Sequence, residues 1–134
     1  MYKANGIQEE SAREMTVLVV HPEKRPEIIT LRNELSVLQD AVGGMIQVVY
    51  PFQDVIGLIM NEEGKLLGLP LNRALRTEND EIYDIIAGTF LVVGLTEDDF
   101  CSLSSEQQEK YSRLFQTPEM FMRIGRQIVA VPAL

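Results

Sequence analysis

The sequence predicts an α+β fold: a mainly antiparallel sheet with two to four helices packed on one side. Three observations carry this expectation. Short runs rich in β-branched residues recur between turn residues, as in Thr16-Val17-Leu18-Val19-Val20 and Thr89-Phe90-Leu91-Val92-Val93. One segment has helical spacing, Leu31, Leu35, Leu38 and Val42, and stops at Gly43-Gly44. Strand-like and helix-like segments mix without regular alternation or repeat, which points to helices laid on an antiparallel sheet.

The elements follow in order. Residues 1–14 are polar and aperiodic and read as an N-terminal extension, with one α+β domain over 15–134. Thr16–Val20 is a central strand. His21–Pro26 interrupts the chain before a short second strand, Glu27–Thr30. The helix carrying Leu35, Leu38 and Val42 comes next. Met45–Tyr50 and Val55–Met60 are two strands separated by Pro51–Asp54. The turn Asn61–Gly64 is expected to fold the chain back as a hairpin into Lys65–Leu67. Pro70 is expected to open a short helix through Ala74 and Leu75. Ile82–Val93 is apolar, with its strongest strand at Thr89–Val93. Ser105 and Gln108 have the spacing of a capping box for a helix whose Tyr111, Leu114 and Phe115 share a face. Thr117-Pro118 is expected to cap a further helical turn through Phe121 and Met122, and Gln127–Val131 to form the last strand.

Composition bounds the function. A chain of 134 residues is long enough for one core without staples. The single cysteine, Cys101, excludes an intramolecular disulfide framework and suits a reducing cytoplasm. No apolar run approaches the roughly 20 residues of a membrane-spanning helix, and no membrane partner is expected. The net charge of −8, from 20 acidic and 12 basic residues, opposes direct nucleic-acid binding, which depends on Lys and Arg displacing counterions. Two acidic clusters, Glu78-Asp80-Glu81-Asp84 and Glu97-Asp98-Asp99, lack the alternating spacing and closing Glu of a calcium loop.

Catalytic constellations are not visible. One histidine and one cysteine cannot build a His/Cys metal site within one chain, and neither metal nor cofactor is expected. His21 sits beside Pro22 at a strand end, where a structural role outweighs that of a base. Cys101 is placed at a helix start, but the neighbouring Glu97-Asp98-Asp99 opposes thiolate formation. Gly64 and Gly68 lack the partners of a phosphate-binding loop.

The span Asn61–Leu75 is the richest in backbone demands, with two glycines, a proline and two asparagines. Asn61 suits a turn start whose side chain bonds its own backbone two residues on, and Gly64 suits a positive φ. Asn72 offers a paired donor and acceptor, and Arg73 and Arg76 offer planar forks for phosphate or carboxylate. Asn72 and Arg76 would share a face in a continuous helix. Thr89, after Gly88, adds a hydroxyl. Asn61, Asn72, Arg73, Arg76 and Thr89 are therefore the candidate ligand-binding residues. The alternative makes the asparagines turn and cap residues and pairs the arginines with the acidic run at 78–84.

Three blocks carry a family resemblance: Asn61-Glu62-Glu63-Gly64-Lys65-Leu66, Gly68-Leu69-Pro70-Leu71-Asn72-Arg73, and Asp84-Ile85-Ile86-Ala87-Gly88-Thr89 running on to Gly94. In that order they resemble domain of unknown function 3846, common among proteins of bacteriophages and other mobile elements. The likeness runs from about Thr16 to Val131 and includes Asp99–Ser104 and Pro118–Phe121. The polar leader before Met15 departs from the pattern. The resemblance implies an accessory protein of a phage or integrated element and brings no catalytic residues.

Two functions are expected from these features. One is a non-enzymatic, homo-oligomeric protein that binds and sequesters a small nucleotide signal of host defence through residues 61–76. The other is an acidic inhibitor or adaptor, mimicking nucleic acid, that engages a basic host protein. Both place the protein in the host cytoplasm.

Overall fold

The computed structural model describes residues 13–133. Along them run β1 (Glu14–Val20), β2 (Glu27–Arg32), α1 (Leu35–Val42), β3 (Ile46–Val49), β4 (Ile56–Asn61), β5 (Leu71–Arg76) and β6 (Ile82–Ala87). After these come β7 (Phe90–Leu95), β8 (Phe100–Cys101), α2 (Ser105–Leu114), β9 (Glu119–Ile124) and β10 (Gln127–Pro132). Strands hold 45% of the described residues and helices 15%, so the fold is mainly β and the α+β expectation is corrected. The N-terminal extension expected over 1–14 lies outside the described residues as far as residue 12. Glu14 already pairs with Arg32.

The main sheet has the order β2-β1-β7-β4-β3, antiparallel throughout, and β8 pairs the far end of β7. Period two sends Leu18, Val20, Leu58, Phe90 and Val92 to one face of the three inner strands. Val17, Val19, Ile59, Leu91 and Val93 go to the other. Both faces are covered, which is why β4 and β7 read as apolar runs rather than alternations.

The two helices cover opposite faces, against the expectation of helices on one side. α1 lays Leu38 and Val42 on the Ile59–Leu91 face. α2 lays Tyr111, with Phe115 just beyond its end, on the Leu58–Phe90 face, where Leu75 and Ile86 of the β5–β6 hairpin join it. Gly43 ends α1 in the left-handed region at φ 83°, donating to Gln39 O at 2.7 Å. Ser104, one residue before the expected position, caps α2: its hydroxyl accepts from Gln107 N while Gln107 Oε1 accepts from Ser104 N.

Five local expectations are overturned. Leu31, expected on the first helix with Leu35, Leu38 and Val42, lies in β2 and pairs with Met15, because the chain stays extended along β1 as far as Arg32. Pro70 opens β5, not a helix; the segment is buried from Asn72 to Leu75, and burial between two layers outweighs helix propensity. Lys65–Leu67 is an irregular turn rather than a returning strand, with Leu66 and Leu67 facing solvent. Thr117-Pro118 precedes β9, which pairs with β10 across the whole of its length. Cys101 ends β8 and pairs with Gly94, so it starts no helix.

The β3–β4 loop is tied to α2 by one carboxylate. Asp54 accepts from Tyr111 Oη at 2.7 Å, from Gln107 Nε2 at 3.3 Å and from Val55 N at 2.7 Å. The Tyr111 hydrogen bond leads in pulling the Asp54 pKa below its ordinary 3.8, against the opposing effect of burial. Burial first, then Asp54, pushes the Tyr111 phenol up. A folded-state pKa below the unfolded one gives stability that is fully present above the unfolded value and lost as pH falls through the folded value. Urea unfolding of the wild type and Asp54→Asn is therefore expected to show a stability gap that is constant down to about pH 5 and closes at lower pH. A gap independent of pH would contradict the tie.

Candidate functional site

Asn72 and Arg73 are consecutive on a strand, yet both side chains point inward. A shift of register between Leu71 and Arg73 explains this, because a bulge re-aims one side chain without ending the strand. Asn72, fully buried, donates through Nδ2 to Val20 O at 2.9 Å and Gly88 O at 2.8 Å. It thus ties β5 to the end of β1 and to the β6–β7 turn.

Arg73 is 2% exposed. Its Nε and Nη2 donate to Phe115 O at 3.1 and 2.9 Å, its Nη2 to Lys24 O at 2.7 Å, and its Nη1 to Asn72 Oδ1 at 2.8 Å. The fork closes on the carbonyl at the end of α2, where orphan acceptors and the negative end of the helix dipole lie. Burial pulls the guanidinium pKa down from its ordinary value and the Glu119 carboxylate opposes this.

Glu119 was not among the residues expected to matter. Its Oε1 accepts from Ala74 N at 2.8 Å, so it satisfies the outer edge of β5 as a neighbouring strand would. Its Oε2 accepts from Arg76 Nη2 at 2.7 Å, and Arg76 Nε lies 3.5 Å from Asp80. The signal for this hairpin was present in Met120-x-Met122-x-Ile124, Gly125 and the apolar run after it, alternation about a glycine.

The structure brings four of the five expected residues to one region. Asn72 and Arg73 are in contact, Arg76 lies three residues further along β5, and Thr89 Oγ1 is 2.8 Å from His21 Nδ1, with Val20 O and Gly88 O just before them. Asn61 stands apart on the α1 side. Its Oδ1 accepts from Glu63 N at 2.8 Å and its Nδ2 donates to Val42 O at 3.2 Å, so it forms the expected turn and also ties β4 to the end of α1. In that turn Gly64 is needed for space rather than for a positive φ. A Cβ there would meet Ala87 O at 2.7 Å, and Gly68 takes the positive φ of 70°.

Beside this region is a cavity of about 350 Å³ between the end of α2, β5 and the base of β9. Phe52, Leu114 and Phe115 form its apolar wall; Arg76, Asp80 and Glu119 supply its polar groups. Arg73 also lines it, with its donors already engaged by carbonyls. A broader groove of about 1000 Å³ runs between Arg25, Leu71 and the outer side of β9. The groove is more open, whereas the smaller cavity sets an aromatic wall against Arg76, Asp80 and Glu119 and is taken as the candidate ligand site. Among the described residues, no group of three His, Cys, Asp or Glu side chains is placed to hold a metal ion.

The sequence profile of the family described as Domain of unknown function (DUF3846) matches residues 15–116, and the chain belongs to that family. The match stops before β9, short of the Val131 to which the likeness read from sequence extends. Neither curated proteins nor solved structures gave a match.

Arg73→Lys is expected to cost about 1–3 kcal/mol in urea unfolding, since an ammonium cannot span Phe115 O, Lys24 O and Asn72 Oδ1 together. Asn72→Asp is expected to exceed Asn72→Ala in cost, because a carboxylate would face two carbonyl oxygens without a proton to share.

Proposed function

We propose that this protein is a non-enzymatic binding protein that sequesters a small, flat, hydrogen-bonding molecule of the nucleoside type in the cavity beside Arg76. The observation that carries the reading is the pairing of an aromatic wall, Phe52 and Phe115, with Arg76, Asp80 and Glu119. A heterocyclic base stacks on an aromatic ring and presents both donors and acceptors at its edge. Two carboxylates stand against one solvent-reachable guanidinium, so the cavity favours the base of a nucleotide over its phosphates. Arg73 contributes the floor rather than the charge.

The biological setting belongs to the proposal too. The family resemblance supports an accessory protein of a phage or mobile element, acting in the host cytoplasm against a nucleotide signal of defence. No helix among the described residues is long and apolar enough to cross a membrane.

A second reading, an acidic adaptor for a basic host protein, is favoured by the exposed Glu97 and Asp98 in the β7–β8 turn. Asp99 beside them is held by Asn33 and Arg13, which leaves the other two facing solvent. Capture of a host protein whose retention falls with rising salt and with Glu97→Gln/Asp98→Asn would favour this reading over the first.

Isothermal calorimetry against nucleosides, cyclic nucleotides and ADP-ribose-derived nucleotides tests the first reading. Binding is expected to weaken about tenfold or more in Asp80→Ala and in Leu114→Arg, which fills the cavity mouth from an exposed position. No heat with any of these compounds overturns it.

A further inference from the structure

The β9–β10 hairpin carries a row of exposed apolar side chains on one face. Met120, Met122 and Ile124 fall on one side of β9, exposed by 53%, 45% and 60%. Val131 and Val129 stand opposite Met120 and Met122 on β10, which extends the apolar face across both strands. Adjacent large apolar side chains left this open on a two-stranded ribbon mark a contact surface rather than scattered surface hydrophobics.

Charge along the hairpin is polarised. Its tip carries Arg123 and Arg126, in a chain whose net charge is −8. Neither arginine joins an ion pair among the described residues. At the opposite end, the base residues Glu119 and Pro132 share a cavity wall with Thr77 and Asp80 of the β5–β6 turn. That turn carries Glu78 and Glu81, which are likewise without an ion-pair partner among the described residues. Each molecule thus presents an apolar face with a free cation, Arg126, at its tip and two free carboxylates near its base, while Arg123 points to the other side of β9.

We infer that the occupant of this face is a second copy of the same chain. In a two-fold dimer the two hairpins lie antiparallel, Met120, Met122 and Ile124 of each covering those of the other. Each tip then reaches the partner's hairpin base, and Arg126 of the tip meets carboxylates of the Glu78–Glu81 turn. A two-fold interface makes every such contact twice, so one polarised face satisfies both partners. The base of the hairpin also borders the small cavity, so the second copy stands beside the ligand site without donating to it. This inference is independent of what the cavity binds.

Sedimentation velocity and native mass spectrometry of the full chain test it. A dimer is expected at low salt, weakening as salt rises. Arg126→Glu and, separately, Glu78→Arg/Glu81→Arg are each expected to raise the dimer dissociation constant about tenfold or more. Mixing the two variants is expected to restore a heterodimer, because each tip then faces a turn of opposite charge in both contacts. Met122→Asp is expected to weaken the wild-type dimer and the heterodimer alike. Circular dichroism unchanged in each variant shows that folding is retained, and all positions lie at the surface. A monomer at every concentration, a dimer indifferent to both charge reversals, or variants that fail to pair on mixing would overturn the inference.

Discussion

A single buried guanidinium organises one half of this protein. Arg73 sits where the end of α2, the β1–β2 loop and β5 converge, and it is the group that hydrogen-bonds to all three. Burying a cation is expensive unless its protons are matched, and here carbonyl oxygens and an asparagine amide oxygen match them. Asn72 completes the arrangement by spending its own amide protons on Val20 O and Gly88 O. The β5–β6 hairpin is therefore not merely laid on the main sheet by its apolar side chains. It is pinned there in one orientation by groups that tolerate no slippage.

That pinning explains how adjacent, similar residues take different roles. Arg73 is consumed by structure, whereas Arg76, three residues later, emerges at the cavity wall and is positioned by Glu119 and Asp80. Glu119 is the hinge between the two parts: one oxygen closes the edge of β5 and the other fixes Arg76. Because the family match ends at residue 116, Glu119 and the hairpin it begins lie beyond the matched segment. The family match covers the body of the fold, and the carboxylate at the start of the arm hydrogen-bonds back to it.

The legible parts of the sequence were those governed by local chemistry. The strands β1, β4, β7 and β10, the end of α1 at Gly43 and the Asn61 turn all follow from side-chain shape and backbone preference within a few residues. Failures came where distant packing decided the outcome. Leu71 and Leu75 are spaced as on a helix, but a bulge and burial made that stretch a strand. The helices were expected on one side because their apolar positions do not say which sheet face they meet; period two in β1, β4 and β7 offers both. Asn72, Arg73 and Arg76 were singled out for their hydrogen-bonding capacity. The partners that use it lie at Lys24, Phe115 and Glu119, and no local pattern names them.

The central pairing of β1 with β7 has a consequence for synthesis. Leu18 must find Val92, so the whole intervening chain has to leave the ribosome first. At about 5–20 residues per second, the inner edge of β1 waits several seconds to over ten, with only β2 able to cover its other side. During that interval a strand apolar on both faces is open to any passing strand. The nascent chain is thus most exposed to mispairing while its first hairpin is already made, and a chaperone that shields Thr16–Val20 would act in that window.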